Sequence, residues 1–212
     1  MRKIRFSIFI FLACAAFMLS LSGCLSVSES PNPRFYMLKP IDASDAGSQF
    51  SVPANTIIVI GPVKIPEYQN RPQIVTQDNN KMLTFAQFDR WGEPLDSGIV
   101  RLLIEDLSML LPGVEFERFP CNFAIPINYQ VILDAIQLES NLDDNLLFVV
   151  QWSIIDSKER HMLFNKRSVF NEQINPHNYS GLVDALSRSI SLLSKEIAQG
   201  LSTLQAPSIG EK

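Results

Sequence analysis

The 212-residue sequence contains few of the residues that carry catalysis or bind metal ions: two histidines and three cysteines. His161 and His177 each lie far from any nucleophile motif, and the G-x-S-x-G motif of serine hydrolases is absent. No cysteine–histidine cluster has zinc-ligand spacing, and no glycine-rich segment has the spacing of a phosphate-binding loop. We therefore expect no catalytic site, no metal and no cofactor, and we interpret the protein as a non-enzyme.

Positive charge is also scarce. The formal net charge is −4 and the isoelectric point is near 5.2, so the sequence lacks the basic character of proteins that bind nucleic acid. Asp143 and Asp144 suggest calcium, but they lack the alternating ligands, the glycine and the distal glutamate of an EF-hand loop. We interpret them as part of a solvated turn.

What the sequence does have is a hydrophobic N-terminal run behind a basic start. Arg2, Lys3 and Arg5 precede residues 6–21, which are apolar apart from two serines. This order predicts a secretory signal peptide. The run is marginal for a membrane-spanning helix, which needs roughly 20 apolar residues. The alternatives are an uncleaved anchor helix and plain secretion after the small residues at positions 13–16.

The end of this run, Leu21-Ser22-Gly23-Cys24, resembles the bacterial lipobox. The resemblance implies that the Cys24 sulfur takes a diacylglyceryl group and that cleavage before Cys24 frees an amine for a further acyl chain. A single acyl chain, at about 0.8 kcal/mol per buried CH₂, binds a membrane only marginally, so stable anchoring needs at least two. Cys24 is therefore the predicted lipid-anchor residue.

These signals divide the chain into four parts. They are a signal peptide over residues 1–23, a lipidated tether over 24–34, a single domain over 35–205 and a flexible tail over 206–212. Cys14 leaves with the signal peptide and Cys24 is acylated, so Cys121 has no partner within the chain. Its aromatic and proline neighbours favour a buried thiol, and pairing between chains is the alternative in an oxidising compartment.

The mature chain carries both strand and helix patterns. Strands are predicted at "FYML", at "TIIVIGPVK", on both sides of the turn at residues 78–80, and at "VEFERF". Three further runs between residues 128 and 174 indicate an antiparallel meander. Amphipathic helices are predicted between Pro94 and Pro112 and over roughly 22 residues from Asn178. The predicted fold class is α+β, with a mixed or antiparallel sheet covered by two amphipathic helices.

Aromatic residues and arginines gather in two neighbouring segments, "IPEYQNRPQIV" and "FAQFDRWGEPL". Because both residue types are enriched in protein–protein hot spots, these segments are candidates for partner binding. The candidate residues are Tyr68, Arg71, Arg90 and Trp91. In the structural alternative, Phe88 and Trp91 belong to the core. The two arginines then pair with Asp89 or Glu93. We predict that Trp91 is buried and that Arg71 is exposed.

The same segments resemble the PqiC-like, ABC-type transport auxiliary lipoprotein family. The shared pattern begins with the lipobox cysteine and a tyrosine–leucine strand near the start of the domain. It continues with V-x-I-P-x-Y-x-x-R-P-Q-I-V at residues 63–75 and F-x-R-W-x-E-P-L at residues 88–95. The resemblance extends over residues 35–201, and "FPCNFAIPIN" departs from it.

The resemblance implies a periplasm-facing lipoprotein that assists a mammalian-cell-entry (MCE) type intermembrane lipid transport system. Its expected partner is an MCE-domain transport protein, docked at the outer membrane, with self-association around that partner as a further expectation. Leu25 stands where an aspartate would retain a lipoprotein at the inner membrane of enteric bacteria, so the outer membrane is favoured and the inner membrane is the alternative. Two other functions stay open: a lipid carrier, which needs an apolar cavity of roughly 300–1,000 Å³, and a structural envelope lipoprotein.

Overall fold

A computed structural model describes residues 31–42, 44, 50–121 and 126–204. The predicted signal peptide, Cys24 and the predicted tail lie outside the described residues. From Pro33 onward the chain forms one compact unit. Its eight strands and two long helices, within the described ranges, agree with the predicted α+β class.

Five strands form the larger sheet, in the order β5-β2-β6-β7-β8. They are β2 (Ile57–Lys64), β5 (Glu115–Arg118), β6 (Tyr129–Ser140), β7 (Asn145–Asp156) and β8 (Met162–Gln173). Strand β2 runs parallel to both of its neighbours, β5 and β6. The pairs β6–β7 and β7–β8 are antiparallel. The predicted meander is therefore confirmed, and the parallel pairs make the sheet mixed.

Three shorter strands form a second, smaller sheet in the order β1-β4-β3. They are β1 (Arg34–Tyr36), β3 (Gln73–Gln77) and β4 (Leu83–Trp91). The predicted hairpin joins β3 to β4, and the Asp78 carboxylate accepts hydrogen bonds from the amides of Asn80 and Met82 in its turn. Strand β1 pairs in parallel with β4, which the sequence pattern did not indicate.

Helix α1 (Leu95–Leu110) packs against β2 and β5, and helix α2 (Tyr179–Thr203) packs against β7 and β8. Asn178 caps α2 by accepting a hydrogen bond from the Gly181 amide at 3.0 Å. The helices contact each other, and every apolar residue of their predicted stripes is buried. In α1 the stripe is Ile99, Leu102, Leu103, Leu107 and Leu110; in α2 it is Leu182, Leu186, Ile190, Leu193, Ile197 and Leu201.

Trp152 is the largest side chain in the core and is fully buried. Its ring stacks on Phe164 with centroids 5.0 Å apart, and its indole N–H donates to Ser168 Oγ at 3.0 Å. A Cβ at Gly200 of α2 would lie 3.2 Å from the Trp152 ring, so the helix approaches the sheet closely at this point. The indole thus joins β7, β8 and α2.

A fully buried carboxylate, Asp106, lies on the apolar stripe of α1. Its Oδ1 accepts a hydrogen bond from the Ile41 amide at 2.8 Å, and its Oδ2 accepts one from Ser194 Oγ at 3.1 Å. Burial raises the pKa of Asp106, and these hydrogen bonds oppose the rise. Asp106 therefore ties the segment after β1 to both helices.

Two features differ from the sequence predictions. A β-bulge between Ala135 and Gln137 shifts β6 by one residue, so Leu138 is buried where strict alternation from Val131 and Leu133 would turn it outward. Cys121 is half-exposed rather than buried, and it lines an open groove of about 490 Å³ with Gln130 and Arg160. Phe119, one of the aromatic neighbours that suggested burial, is itself 37% exposed.

Candidate functional site

The segment that carries the first family-like motif connects the two sheets. After β2 it forms a short 3₁₀ turn, Glu67–Gln69, which contacts the larger sheet. Tyr68 Oη and Gln69 Nε2 both donate to the carbonyl oxygen of Leu138 in β6, at 3.3 and 2.8 Å. Burial raises the pKa of Tyr68. Tyr68 is therefore half-buried and held by the larger sheet.

The second half of this segment joins the smaller sheet. The amide of Trp91 donates to the Pro72 carbonyl at 2.8 Å, and Gln73 pairs with Arg90 across β3 and β4. The chain thus leaves the larger sheet at Tyr68 and enters the smaller sheet at Gln73. This path gives the motif a structural role, because its polar contacts hold the two sheets together.

Arg71 lies between these two attachments and is exposed, as expected for an arginine beside a proline in a polar loop. Its guanidinium carbon is 4.4 Å from the centroid of the Phe85 ring on β4. Phe85 is 46% exposed, so the pair forms a cation–π contact that remains open to solvent. Within the family-like segments this is a surface that combines an exposed aromatic ring with a cation.

The expected pairing of Arg71 and Arg90 with Asp89 or Glu93 is wrong. Arg34 takes Asp89 through two nitrogens, with Nε 2.8 Å from Oδ1 and Nη2 2.9 Å from Oδ2. Glu93 instead accepts from Arg101 Nε at 2.8 Å. The parallel pairing of β1 with β4 sets Arg34 opposite Asp89, and a contact across 55 residues is not visible in local sequence.

Asp89 of β4 is buried, and its carboxylate holds β1 against β4. In addition to the two Arg34 contacts, it accepts a hydrogen bond from Tyr36 Oη at 2.8 Å. Burial first, and then this hydrogen bond, raise the pKa of Tyr36. The hydrogen bond and the charge of Asp89 raise the pKa of Arg34. The three residues fix β1 in place.

Arg90 and Trp91 end β4 beside this network. Trp91 is 7% exposed, which agrees with the predicted burial. Its indole Nε1 and the Nε of Arg90 are buried and have no hydrogen-bond partner among the residues that the structure describes. Arg90 is half-buried and lies opposite Phe35 of β1 on one side and Gln73 of β3 on the other. A buried donor without an acceptor is costly, and because this Nε is buried the cost is carried within the domain.

The structure brings three of the four candidate residues together and separates the fourth. Arg71, Arg90 and Trp91 all border the junction of β3 and β4, whereas Tyr68 contacts the larger sheet. Sequence reasoning missed Phe85 as the partner of Arg71. One signal was present in the sequence. Phe85 and Phe88 lie three residues apart in one strand, so their side chains point to opposite faces, and a strand with one face on the core leaves one of the two rings outside.

A groove of about 500 Å³ lies beside α2, next to the segment that follows β1. Its walls carry exposed ion pairs: Lys39 Nζ is 2.7 Å from Asp184 Oδ1, and Arg188 Nε is 3.0 Å from Glu172 Oε2. A lipid carrier needs a mostly apolar pocket. This charged groove does not meet that need. Among the helices in the described ranges, none is both long and apolar enough to cross a membrane.

Two solved structures share this fold. An uncharacterized protein superposes with a TM-score of 0.66 at 17% identity, covering 81% of this chain and 100% of the other. A Xanthomonas campestris protein of the DUF330 family superposes with a TM-score of 0.60 at 9% identity, covering 81% and 98%. No curated protein matches the sequence. The family described as the ABC-type transport auxiliary lipoprotein component matches residues 36–198, most of the chain, and the protein therefore belongs to that family.

Proposed function

We propose that this protein is a non-enzymatic adaptor that docks an MCE-type intermembrane lipid transport protein at the outer membrane. The observation that carries the proposal is the solvent-open contact of Arg71 with Phe85, beside the half-buried Arg90. We call Arg71, Phe85 and Arg90 the docking surface. Family membership supports the auxiliary transport role, and the MCE partner is the finer part of the proposal.

The docking surface has the composition of a protein-binding hot spot. Arginine and aromatic residues dominate such sites, and they act best when a partner removes them from water. A carboxylate of the partner would pair with the exposed guanidinium of Arg71. In this proposal Tyr68 and Trp91 do not contact the partner. They support the docking surface from within the domain, where Tyr68 bonds to the larger sheet and Trp91 is buried.

The anchor completes the proposed adaptor. Acylation at Cys24, followed by a tether over residues 24–34, would hold the domain at the membrane, and Leu25 after the cysteine supports the outer membrane as its location. The proposed boundaries are those of the sequence analysis, with residues 1–23 removed as a signal peptide. The lipid-carrier alternative has little support, because the groove beside α2 is lined by ion pairs.

Co-purification of the full-length lipidated protein from solubilised envelopes tests this function, with the partner identified by peptide sequencing. Arg71→Ala should lower the free energy of unfolding by no more than the roughly 0.5–1 kcal/mol of an exposed cation–π contact, and it should weaken docking by more than about 1 kcal/mol, so that an MCE-domain protein no longer co-purifies. Arg167→Ala is the matched control, because Arg167 is also exposed but lies on β8 of the larger sheet. An Arg71→Ala protein that retains the MCE partner as the control does would remove this surface from the interface.

A further inference from the structure

On the side away from the core, β1 and the segment just after it carry apolar residues. Tyr36 packs against the core and Leu38 just after the strand is 4% exposed, whereas Phe35 and Met37 point outward and are 64% and 47% exposed. A strand that covers a core on one side and faces water on the other normally alternates apolar with polar residues. The outward pair therefore indicates that something beyond the domain covers this side of β1.

The Met37 side chain packs against Gly92. A Cβ on Gly92 would lie 2.7 Å from Met37 Sδ, so the methionine occupies the space that the missing side chain of Gly92 leaves. The Gly92 amide also donates to the Tyr36 carbonyl at 2.8 Å, which holds the two chain segments together. Phe35 and Met37 thus form a small fixed apolar surface at the end of β4, which we call the β1 ridge.

The β1 ridge lies close in the chain to the proposed lipid anchor, and this position favours the membrane as the surface that covers it. Arg34 lies ten residues after Cys24. A fully extended segment of that length spans at most about 35 Å. Acyl chains on Cys24 would therefore keep the ridge close to the bilayer at all times. This step rests on the acylation of Cys24 that the proposed function includes.

Basic residues border the ridge in the sequence. Arg34 and Lys39 flank Phe35 and Met37; Arg34 is paired with Asp89 and Lys39 with Asp184, and each of the two cationic side chains is still 66% exposed. At a membrane interface, aromatic and aliphatic side chains enter the boundary of the acyl region while cations stay at the level of the phosphates. Arg34 reaches Asp89 on the Tyr36 side of β1, so the two exposed cations border the ends of the ridge without lying on its face.

We propose that the β1 ridge inserts into the head-group boundary of the membrane and orients the domain against it. The contact is separate from the acyl chains, which anchor the protein without setting its orientation. It also bears on docking, because Phe35 lies opposite Arg90 in the β1–β4 register. A transport protein that binds the docking surface would thereby end directly beside the bilayer.

Fluorescence quenching in vesicles tests the orientation without any partner protein. The full lipidated protein carrying Phe35→Trp is reconstituted into phosphatidylethanolamine–phosphatidylglycerol vesicles whose acyl chains are brominated near the head group. Trp91 and Trp152 are buried, so the unmutated protein gives the background emission. Met162→Trp is the matched control, because Met162 is 57% exposed on β8 of the larger sheet. Met37→Trp is a second reporter if Phe35→Trp folds poorly.

The expected result is a blue-shifted emission for Phe35→Trp and a loss of intensity in brominated vesicles that Met162→Trp does not show. Quenching of Phe35→Trp no greater than that of Met162→Trp would overturn the proposal. A blue-shifted emission that is not quenched by the brominated lipids and that increases with protein density would also overturn it, because a second copy of the protein would then cover the ridge. Intact mass reports acylation of Cys24 in the same sample, so a failure of the anchor is distinguished from a failure of the ridge.

Discussion

The two sheets differ in how they use their apolar residues. The larger sheet buries the apolar residues of its central strand: Phe148, Trp152 and Ile154 of β7 are each 1% exposed or less beneath the helices, while Ile136, Met162 and Val169 elsewhere in that sheet are 48–59% exposed. The smaller sheet leaves Phe35 and Phe85 about half exposed or more. Its exposed apolar groups are aromatic rings beside arginines, Phe85 against Arg71 and Phe35 opposite Arg90, and this grouping favours a function outside the domain.

The smaller sheet therefore depends on polar contacts for its position. The Asp89 carboxylate holds β1 through Arg34 and Tyr36, and Ser140 Oγ donates to the Val75 carbonyl to join β3 to β6. These contacts leave the outer apolar groups free. The comparison teaches that the larger sheet and its helices provide the stability, whereas the smaller sheet presents the surfaces proposed for partner and membrane.

Truncation in the helix layer should give the largest loss of stability. Leu107→Ala and Leu186→Ala each remove a side chain that is at most 1% exposed, one from each helix. Each should lower the free energy of unfolding by about 2–5 kcal/mol, from lost transfer energy and the cavity left behind. Chemical denaturation of the soluble domain measures both effects.

Leu192 provides the control on the same helix as Leu186. It is 42% exposed, so Leu192→Ala should change the free energy of unfolding by no more than about 0.5 kcal/mol. Losses of equal size at positions 186 and 192 would contradict the assignment of the buried face of α2.

The buried carboxylate of Asp106 should make the stability of this layer depend on pH. Its pKa in the folded state is raised from the ordinary 3.8, so the folded state binds the proton more tightly than the unfolded chain. The contribution of Asp106 is therefore most favourable below that ordinary value and is lost as the pH rises through the raised pKa. Asp106→Asn should gain stability relative to the unmutated protein across this window, measured by denaturation at several pH values.

Taking the difference between variant and parent removes the effects of other groups. Glu139 and Asp156 act in the opposite sense, because hydrogen bonds lower the pKa of each carboxyl, but both are present in the two proteins compared. Asp143→Asn is the control, since Asp143 lies exposed in a turn. A difference that is flat with pH for Asp106→Asn, as for the control, would refute the role of Asp106.

A smaller loss than in the helix layer is expected on the smaller sheet. Phe85→Ser removes a ring that is 46% exposed, together with its contact to Arg71. An exposed cation–π contact contributes about 0.5–1 kcal/mol, so the free energy of unfolding should fall by roughly 1 kcal/mol while co-purification of the MCE partner is lost. A loss as large as that of Leu186→Ala would mean that Phe85 is a core residue, and the contrast between the sheets would fail.

Much of the secondary structure could be predicted, because local patterns decide it. Apolar residues three and four positions apart marked both helices, and Asn178 marked the start of α2. Asp78 marked the hairpin turn through its short side chain, which bonds to nearby amides. The candidate site could be predicted only as a set of residue types, because hot-spot composition does not say which side chains face outward.

Long-range pairing decided the rest. Which acid each arginine meets depended on the parallel register of β1 and β4, and the bulge between Ala135 and Gln137 turned Leu138 into the core. Tyr68 was separated from Arg71 by its contact with Leu138, 70 residues away. Nothing in the local sequence records such contacts.

By itself, the sequence determined the α+β class, the helices, the hairpin, the meander and the family, since periodicity, turn residues and motifs are local properties of the chain. Only the tertiary structure decided that the chain forms two sheets, that Asp89 forms an ion pair with Arg34, and that Arg71 makes a cation–π contact with Phe85. The physical reason is that burial and pairing belong to the packed arrangement of distant segments. Side chains of the same type, such as Phe85 and Phe148, differ only in what the fold places over them.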